Sequence, residues 1–375
     1  MDGVLGAGPG QRSVGMGGNP RTLPTRQATY RGNREIVVDD GTLLGPGPGQ
    51  VRVEVAYTGI CGTDLHILHG SMDHRVTLPA VIGHEMSGRV AELGPDVAGW
   101  NVGDPVTVMP LDWCGECPAC ERGYRHICQR LNFLGIDSPG SMQSSWTVPS
   151  HVLVPLPADI PLDLAALVEP TAVAVHDVRR GGVVAGERVV VVGGGPVGIL
   201  VALAARVAGA EVVVLEIDEH RRAVADALGL ATRNPVAGDL MGAIYAWTDG
   251  AGADVAFEVS GSAGGVTTAT HTLGVRGRLV MVAIHSTPRE VDLFRVFWRE
   301  LTVIGARVYE REDFEAAVRL VSTGDITVRP LITHVIGLDE ASEAFAALEH
   351  GGAMKVLVDC RGNSVAPTAA SGSSW

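Results

Sequence analysis

Lysine is almost missing from this 375-residue chain: of 29 basic residues only Lys355 is a lysine, and the rest are arginines. That scarcity reads as coding bias. Basic charge as a whole is short as well, 29 residues against 42 acidic ones for a net −13. A nucleic-acid binder held by phosphate contacts needs the opposite balance, so that class is excluded. Long apolar runs are lacking too. The longest stretch free of Asp, Glu, Lys, Arg and His, Val189 to Ala205, is broken by four glycines and Pro196, and is shorter than the roughly 20 residues of a membrane helix. No apolar segment flanked by positive charge opens the chain, so no secretory signal is expected. Six cysteines are too few for a disulfide scaffold at this length. What remains is a chain with 46% hydrophobic and 19% charged residues. It can bury a large core, has length for two domains, and is expected to be cytoplasmic.

The cysteines are placed far from randomly. Cys114, Cys117, Cys120 and Cys128 give C-x2-C-x2-C-x7-C, four thiolates that suit a structural Zn²⁺ with no open position. The ferredoxin motif begins alike but closes with Cys-Pro, whereas Gln129 follows Cys128; a disulfide is the other alternative. A second constellation is dispersed: Cys61, then His84-Glu85, then Glu169. One thiolate, one imidazole and one or two carboxylates form a mixed set able to keep a position open, as a catalytic zinc requires. Singly, each has a plainer reading as a buried or solvated residue.

Downstream of Gly182 the texture changes. Apolar β runs at 188–192, 211–215, 254–259, 277–283 and 301–304 alternate with helix-length segments, the pattern of a parallel doubly wound α/β sheet. After the first run comes Gly193-Gly194-Gly195-Pro196-Val197-Gly198, which fits the dinucleotide turn G-x-G-x-x-G and opens a helix. Pro196 falls where a first helical turn has no amide bond to lose. Glu216, 23 positions after Gly193, is placed to accept from a ribose 2′-hydroxyl and to repel a 2′-phosphate, favouring NAD over NADP. Arg221 and Arg222 are the counterweight, since either could meet a phosphate. Upstream, short β runs alternate with turns from Ala28 to Pro110, and a helix is expected over 162–180. Residues 1–25 and 362–375 read as flexible ends.

Gly83-His84-Glu85-x2-Gly88-x5-Gly94-x2-Val97 matches the zinc-alcohol-dehydrogenase signature at every defined position. Together with Cys-Gly-Thr-Asp at 61–64, the four-cysteine loop, Glu169-Pro170, the glycine turn and the closing Lys355-Val356-Leu357-Val358, it resembles the medium-chain zinc-dependent dehydrogenases. The branch it looks most like holds sorbitol, butanediol and threonine dehydrogenases. The resemblance implies a GroES-like β-barrel catalytic domain from 26–175 and 310–361, with a Rossmann domain inserted at 176–309. It implies Cys61 and His84 as ligands of a catalytic zinc, Glu85 and Glu169 at or near that metal, and Asp64 orienting the histidine. Thr63 and His66 would carry the alcohol proton outward, a task suited to a side chain that ordinarily titrates near about 6.5. Gly193, Gly195, Pro196, Val197, Gly198, Glu216, Arg221 and Lys355 would meet the cofactor.

The expected activity is NAD-linked oxidation of a secondary alcohol, a polyol or vicinal diol, with threonine or a simple alcohol as alternative substrates. Two zinc ions per chain and a homodimer or homotetramer complete the expectation. Two other classes compete: an interaction protein built on the four-cysteine loop, and a medium-chain reductase without catalytic zinc. Arg307, in Gly305-Ala306-Arg307-Val308-Tyr309, reads equally as a cleft residue or a surface arginine.

Overall fold

The computed structural model describes residues 21–362. One half is organised on the strand Gln50–Gly59, in which Val51, Val53 and Val55 point inward while Arg52 and Glu54 point out, the period-2 alternation of a half-buried strand. This strand pairs antiparallel with Glu85–Leu93 and Ser145–Pro149, and at its far end with the C-terminal strand Lys355–Asp359. Pro105–Val108, Leu153–Pro155 and Ile332–Gly337 complete the seven-stranded sheet. Residues from both ends of the chain therefore build one body.

The other half is a six-stranded, all-parallel sheet, ordered Ala231–Arg233, Glu211–Leu215, Arg188–Val192, Ala253–Glu258, Leu273–Met281, Thr302–Gly305. In sequence order that is 3-2-1-4-5-6, so the topological switch point lies between the first and fourth strands, where a dinucleotide-binding crevice is expected. Gly193 sits there with φ +108°, and a Cβ on it would come within 2.9 Å of the Ser260 amide nitrogen. The two halves share a continuous core. The helix Val168–Arg180 packs against both Pro196–Val207 and Arg311–Thr323.

Two boundaries differ from the sequence expectation. The helix expected over 162–180 is two, Leu162–Ala165 and Val168–Arg180. Pro170 lacks an amide hydrogen and is tolerated only in a first turn. The restart at Val168 puts it there, and it puts Glu169 at the amide-rich end as well. The N-terminal extension does not reach residue 25, because Thr22–Tyr30 is a strand paired along its length with Ile36–Leu44. Pro24 is accommodated since, among the described residues, the backbone pairing on the strand's other side lies beyond it, at Arg26–Ala28, Thr29 and Tyr30. The remaining residues of both expected flexible ends lie outside the described residues.

In the helix Val168–Arg180, Asp177 is fully buried and neither carboxylate oxygen finds a hydrogen-bond partner among the described residues. Burial, with nearby Asp313, pushes its carboxyl well above the ordinary range. A carboxyl raised in the folded state stays protonated while the unfolded chain ionises, so its cost to stability grows as pH rises above its unfolded value. Asp177→Asn should therefore stabilise the protein by about 2 kcal/mol at pH 8, roughly 2–3 °C in melting temperature for a chain of this length. The gain should shrink towards pH 4. A gain that is independent of pH in thermal melts would refute the assignment.

Candidate active site

Cys61 follows the strand Gln50–Gly59 and is the N-cap of the short helix Gly62–Leu68. Asp64, in that helix's first turn, accepts the Cys61 amide at 2.8 Å and so fixes the turn that presents the sulfur. His84 precedes the strand Glu85–Leu93, whose register sets Glu85 opposite Gly59. A Cβ on Gly59 would lie 2.3 Å from Glu85 Oε2, so only glycine leaves room for the carboxylate. The Cys61 sulfur, a His84 ring nitrogen and a Glu85 oxygen all lie within 4.8 Å of one another.

The surrounding charges are tightly held. Lys355 Nζ donates to Glu85 at 2.6 and 2.9 Å and to the Ile60 carbonyl at 3.0 Å, and is 3% exposed. Its three donors are spent on these contacts, so Lys355 lies in the ligand cluster rather than on the glycine turn. Glu169 is buried and accepts the Tyr309 hydroxyl at 2.7 Å. Burial pushes Glu169 up to about 7, with the Glu85 charge adding to the effect. Asp64 Oδ1 and His84 Nδ1 face each other 3.7 Å apart, both buried and without hydrogen-bond partners among the described residues. Against the cost of burial, Asp64 and the Cys61 sulfur raise His84 well above its ordinary range. A half-buried thiol with a buried imidazole and carboxylate, backed by carboxyls and an ammonium, fits a divalent cation that would displace the imidazole proton.

The four-cysteine loop forms a second centre. Cys128 Sγ lies 3.4 Å from Cys114 Sγ and 3.7 Å from Cys117 Sγ, against the ~3.8 Å separation that 2.3 Å zinc–sulfur bonds impose on a tetrahedron. Backbone amides of Gln129 and Arg130 donate to these sulfurs. Amides of Cys120 and Gln129 draw Cys117 down to about 6, while burial and the neighbouring sulfurs push Cys120 up to about 12. Four thiolates at this spacing need a cation, and a structural zinc fits. Cys360, by contrast, is fully buried, its thiol pushed up to about 12 by burial.

At the switch point, the helix Pro196–Val207 begins at Gly195 with no side-chain cap, leaving its first amides free for phosphate. A Cβ on Gly195 would meet only Arg221, at 3.9 Å, whereas one on Gly198 would collide with the Gly193 carbonyl at 1.9 Å. Gly195 thus opens to a ligand and Gly198 to close packing. Glu216 accepts the Gly194 amide at 2.6 Å and the Asp218 amide at 2.8 Å, with Arg221 4.0 Å away. Arg222 turns to the Glu216 and Ile217 carbonyls instead. Val197 is half-buried in the helix's first turn.

The description "Alcohol dehydrogenase GroES-like domain" matches residues 47–158, and "Zinc-binding dehydrogenase" matches residues 196–323. The 2-dehydro-3-deoxy-L-galactonate 5-dehydrogenase of Pseudoalteromonas atlantica is 52% identical, over 89% of this chain and 98% of its own. The chain belongs to the zinc-dependent medium-chain dehydrogenases. It is an oxidoreductase with a GroES-like domain joined to a Rossmann α/β domain. The L-threonine 3-dehydrogenase of Rhizobium rhizogenes is 35% identical over 84% of this chain and 92% of its own. A zinc-binding dehydrogenase from Sinorhizobium meliloti, solved with NADP bound, is 32% identical with a TM-score of 0.84, covering 90% of this chain and 99% of that one. No helix among the described residues is long and apolar enough to cross a membrane.

Sequence reasoning missed the Tyr309–Glu169 bond, the Lys355–Glu85 pair, and Phe133, whose ring lies edge-on to His84 at 5.4 Å. None carries a local signal, because each joins segments distant in sequence. If the two cysteine-containing centres each hold zinc, Cys61→Ser should lower the metal content of the purified dehydrogenase from two ions per chain to one. Cys117→Ser should remove the other and lower the melting temperature. Retention of both ions in the Cys61 variant by metal analysis would reject the ligand set.

Proposed function

We propose that this dehydrogenase oxidises a secondary hydroxyl of a polyol or vicinal diol and hands the hydride to NAD. The observation that supports it most is the convergence of Cys61, His84 and Glu85 beside Glu169, in a body joined to a dinucleotide-type switch point. The alcohol loses a proton and a hydride to become a ketone, and NAD⁺ becomes NADH. Zinc, when bound by Cys61, His84 and Glu85 with Glu169 at hand, supplies the Lewis acidity that lowers the alcohol's pKa.

The chain's own residues supply the rest. Lys355 offsets the Glu85 charge, and Tyr309 holds Glu169 in one orientation. Thr63 and His66 stand three residues apart on the helix that Cys61 caps, hence on one face of it. Thr63 is half-buried and His66 exposed, an arrangement that leads a proton from cleft to solvent. His66→Ala should lower the rate near neutral pH, with partial rescue by imidazole buffer. An unchanged pH–rate profile would remove His66 from the relay.

The Glu216 carboxylate at the end of its strand supports NAD over NADP, with Arg221 as the opposing feature. Glu216→Ser should shift the ratio of NAD to NADP efficiency by about tenfold or more towards NADP. A ratio within twofold of the unmodified enzyme would show that Glu216 does not select the cofactor.

Leu293, Phe294, Phe297 and Trp298 are each more than 70% exposed. They occupy the helix that precedes the edge strand Thr302–Gly305. So large an apolar patch supports association into a dimer or tetramer. Free cysteines in both centres suit a reducing, cytoplasmic compartment.

A threonine-oxidising reading draws on the 35%-identical relative. The deciding experiment is NAD and NADP reduction across polyols, vicinal diols, simple secondary alcohols and threonine. Activity confined to threonine would overturn the polyol reading.

A further inference from the structure

Three segments converge on the ligand cluster, and each carries a charged residue: fourteen residues from its point of contact in the first, four in the second and two in the third. The first begins at Cys61, runs through the helix Gly62–Leu68 and turns at 69–76, where Arg75 sits. The second carries Phe133, whose ring lies against His84, and reaches Asp137 four residues later. The third ends at Tyr309 on Glu169, with Arg307 two residues before it. Between them Val308 has φ +51°. That left-handed position, which a β-branched residue rarely adopts, kinks the chain between the residue on Glu169 and the arginine.

The charges do not balance. Arg75 grips Asp137 through two parallel bonds, Nε to Oδ1 at 2.6 Å and Nη2 to Oδ2 at 2.7 Å. Asp137 Oδ2 also accepts the Phe133 amide at 2.8 Å. The one carboxylate is therefore taken up by Arg75 and its own loop. Arg307 lies within electrostatic range of both Arg75 and Asp137, yet has no ion-pair or hydrogen-bond partner among the described residues. Arg307 is exposed, and partial loss of hydration with the like charge of Arg75 holds its guanidinium below the ordinary range. Since arginine does not shed its proton in proteins, Arg307 presents an unpaired positive charge that is open to solvent and free to receive an anion.

We propose that Arg307, with Arg75 beside it, binds the carboxylate of a polyhydroxy acid whose secondary hydroxyl is oxidised at the Cys61–His84–Glu85 cluster. The inference rests on the dehydrogenase reading above and narrows its substrate from neutral polyols to sugar acids. The guanidinium fork matches a planar carboxylate and offers neutral polyols no comparable bond. One spare charge matches a monoanion. A phosphate dianion would leave excess negative charge near Asp137 and Glu169.

The test compares kcat/KM for NAD reduction with matched pairs, gluconate against sorbitol, galactonate against galactitol and idonate against iditol. Sorbitol 6-phosphate and 2-dehydro-3-deoxy-galactonate complete the set. The unmodified enzyme should favour the acids at least tenfold over the matched alditols. Arg307→Gln should lower that acid-to-alditol ratio by about 10- to 100-fold, mainly through KM, and Arg307→Lys should restore part of it. A melting temperature close to that of the unmodified enzyme would confirm that the variant folds; if it does not fold, Arg75→Gln is held to the same ratio. Preference for alditols or for the phosphate, or an equal loss on acids and alditols, would overturn the carboxylate site and leave the polyol reading standing. Failure to oxidise any of these alcohols would overturn both.

Discussion

The pair between Lys355 and Glu85 ties the fold to the chemistry. Glu85 opens a strand paired to Gln50–Gly59, and Lys355 opens the last strand of the described chain, paired to the same partner. Their contact at 2.6 Å therefore joins residues 270 positions apart at one corner of the sheet. Both are nearly inaccessible to water. Removing one partner of such a pair leaves a buried charge, typically at a cost of about 3–5 kcal/mol. Closure of the body by the C-terminal strand and presentation of the Glu85 carboxylate are thus one event. Gly59, the one residue small enough to sit opposite that carboxylate, belongs to the same constraint.

Much of this was legible in the sequence, and the reasons differ by region. The parallel strands are buried on both faces, so their apolar runs announce them. Arg188–Val192 and Glu211–Leu215 fall where the pattern put them. The four-cysteine loop was legible because its ligands are close in sequence, so that spacing alone constrains their geometry. The dispersed cluster was not legible from single residues, since Cys61, His84 and Glu169 each have ordinary explanations. Only the joint motif and its resemblance to a family brought them together.

Other features were hidden for a physical reason. Hydrogen bonds and ion pairs between distant segments leave no periodicity, so Tyr309 on Glu169 and Phe133 against His84 had no local signature. The break at Ala166–Leu167 follows from Pro170, whose effect on the turn before it is easily overlooked within an otherwise helical pattern. The N-terminal strand was obscured by Pro24 and by glycines on either side of it. Its pairing with Ile36–Leu44 decided its conformation, which local propensity did not.

The near-absence of lysine takes on a different meaning at the site. Coding bias accounts for the arginines on the surface, but Lys355 occupies a space where a compact ammonium directs three donors at Glu85 and Ile60. A planar guanidinium presents its donors in a flat fork and is longer, so it would have to displace the carboxylate or the Ile60 carbonyl. The arginines near the cluster work in the opposite way. Arg75 uses its fork on Asp137, where two parallel bonds are available, and Arg307 keeps its fork unfilled among the described residues. Charge is thus sorted by shape: an ammonium where three acceptors converge, and guanidinium groups where a carboxylate plane must be matched. That sorting leaves the inner cluster with buried acids offset by one lysine, and gives its approach an arginine still able to bind an anion.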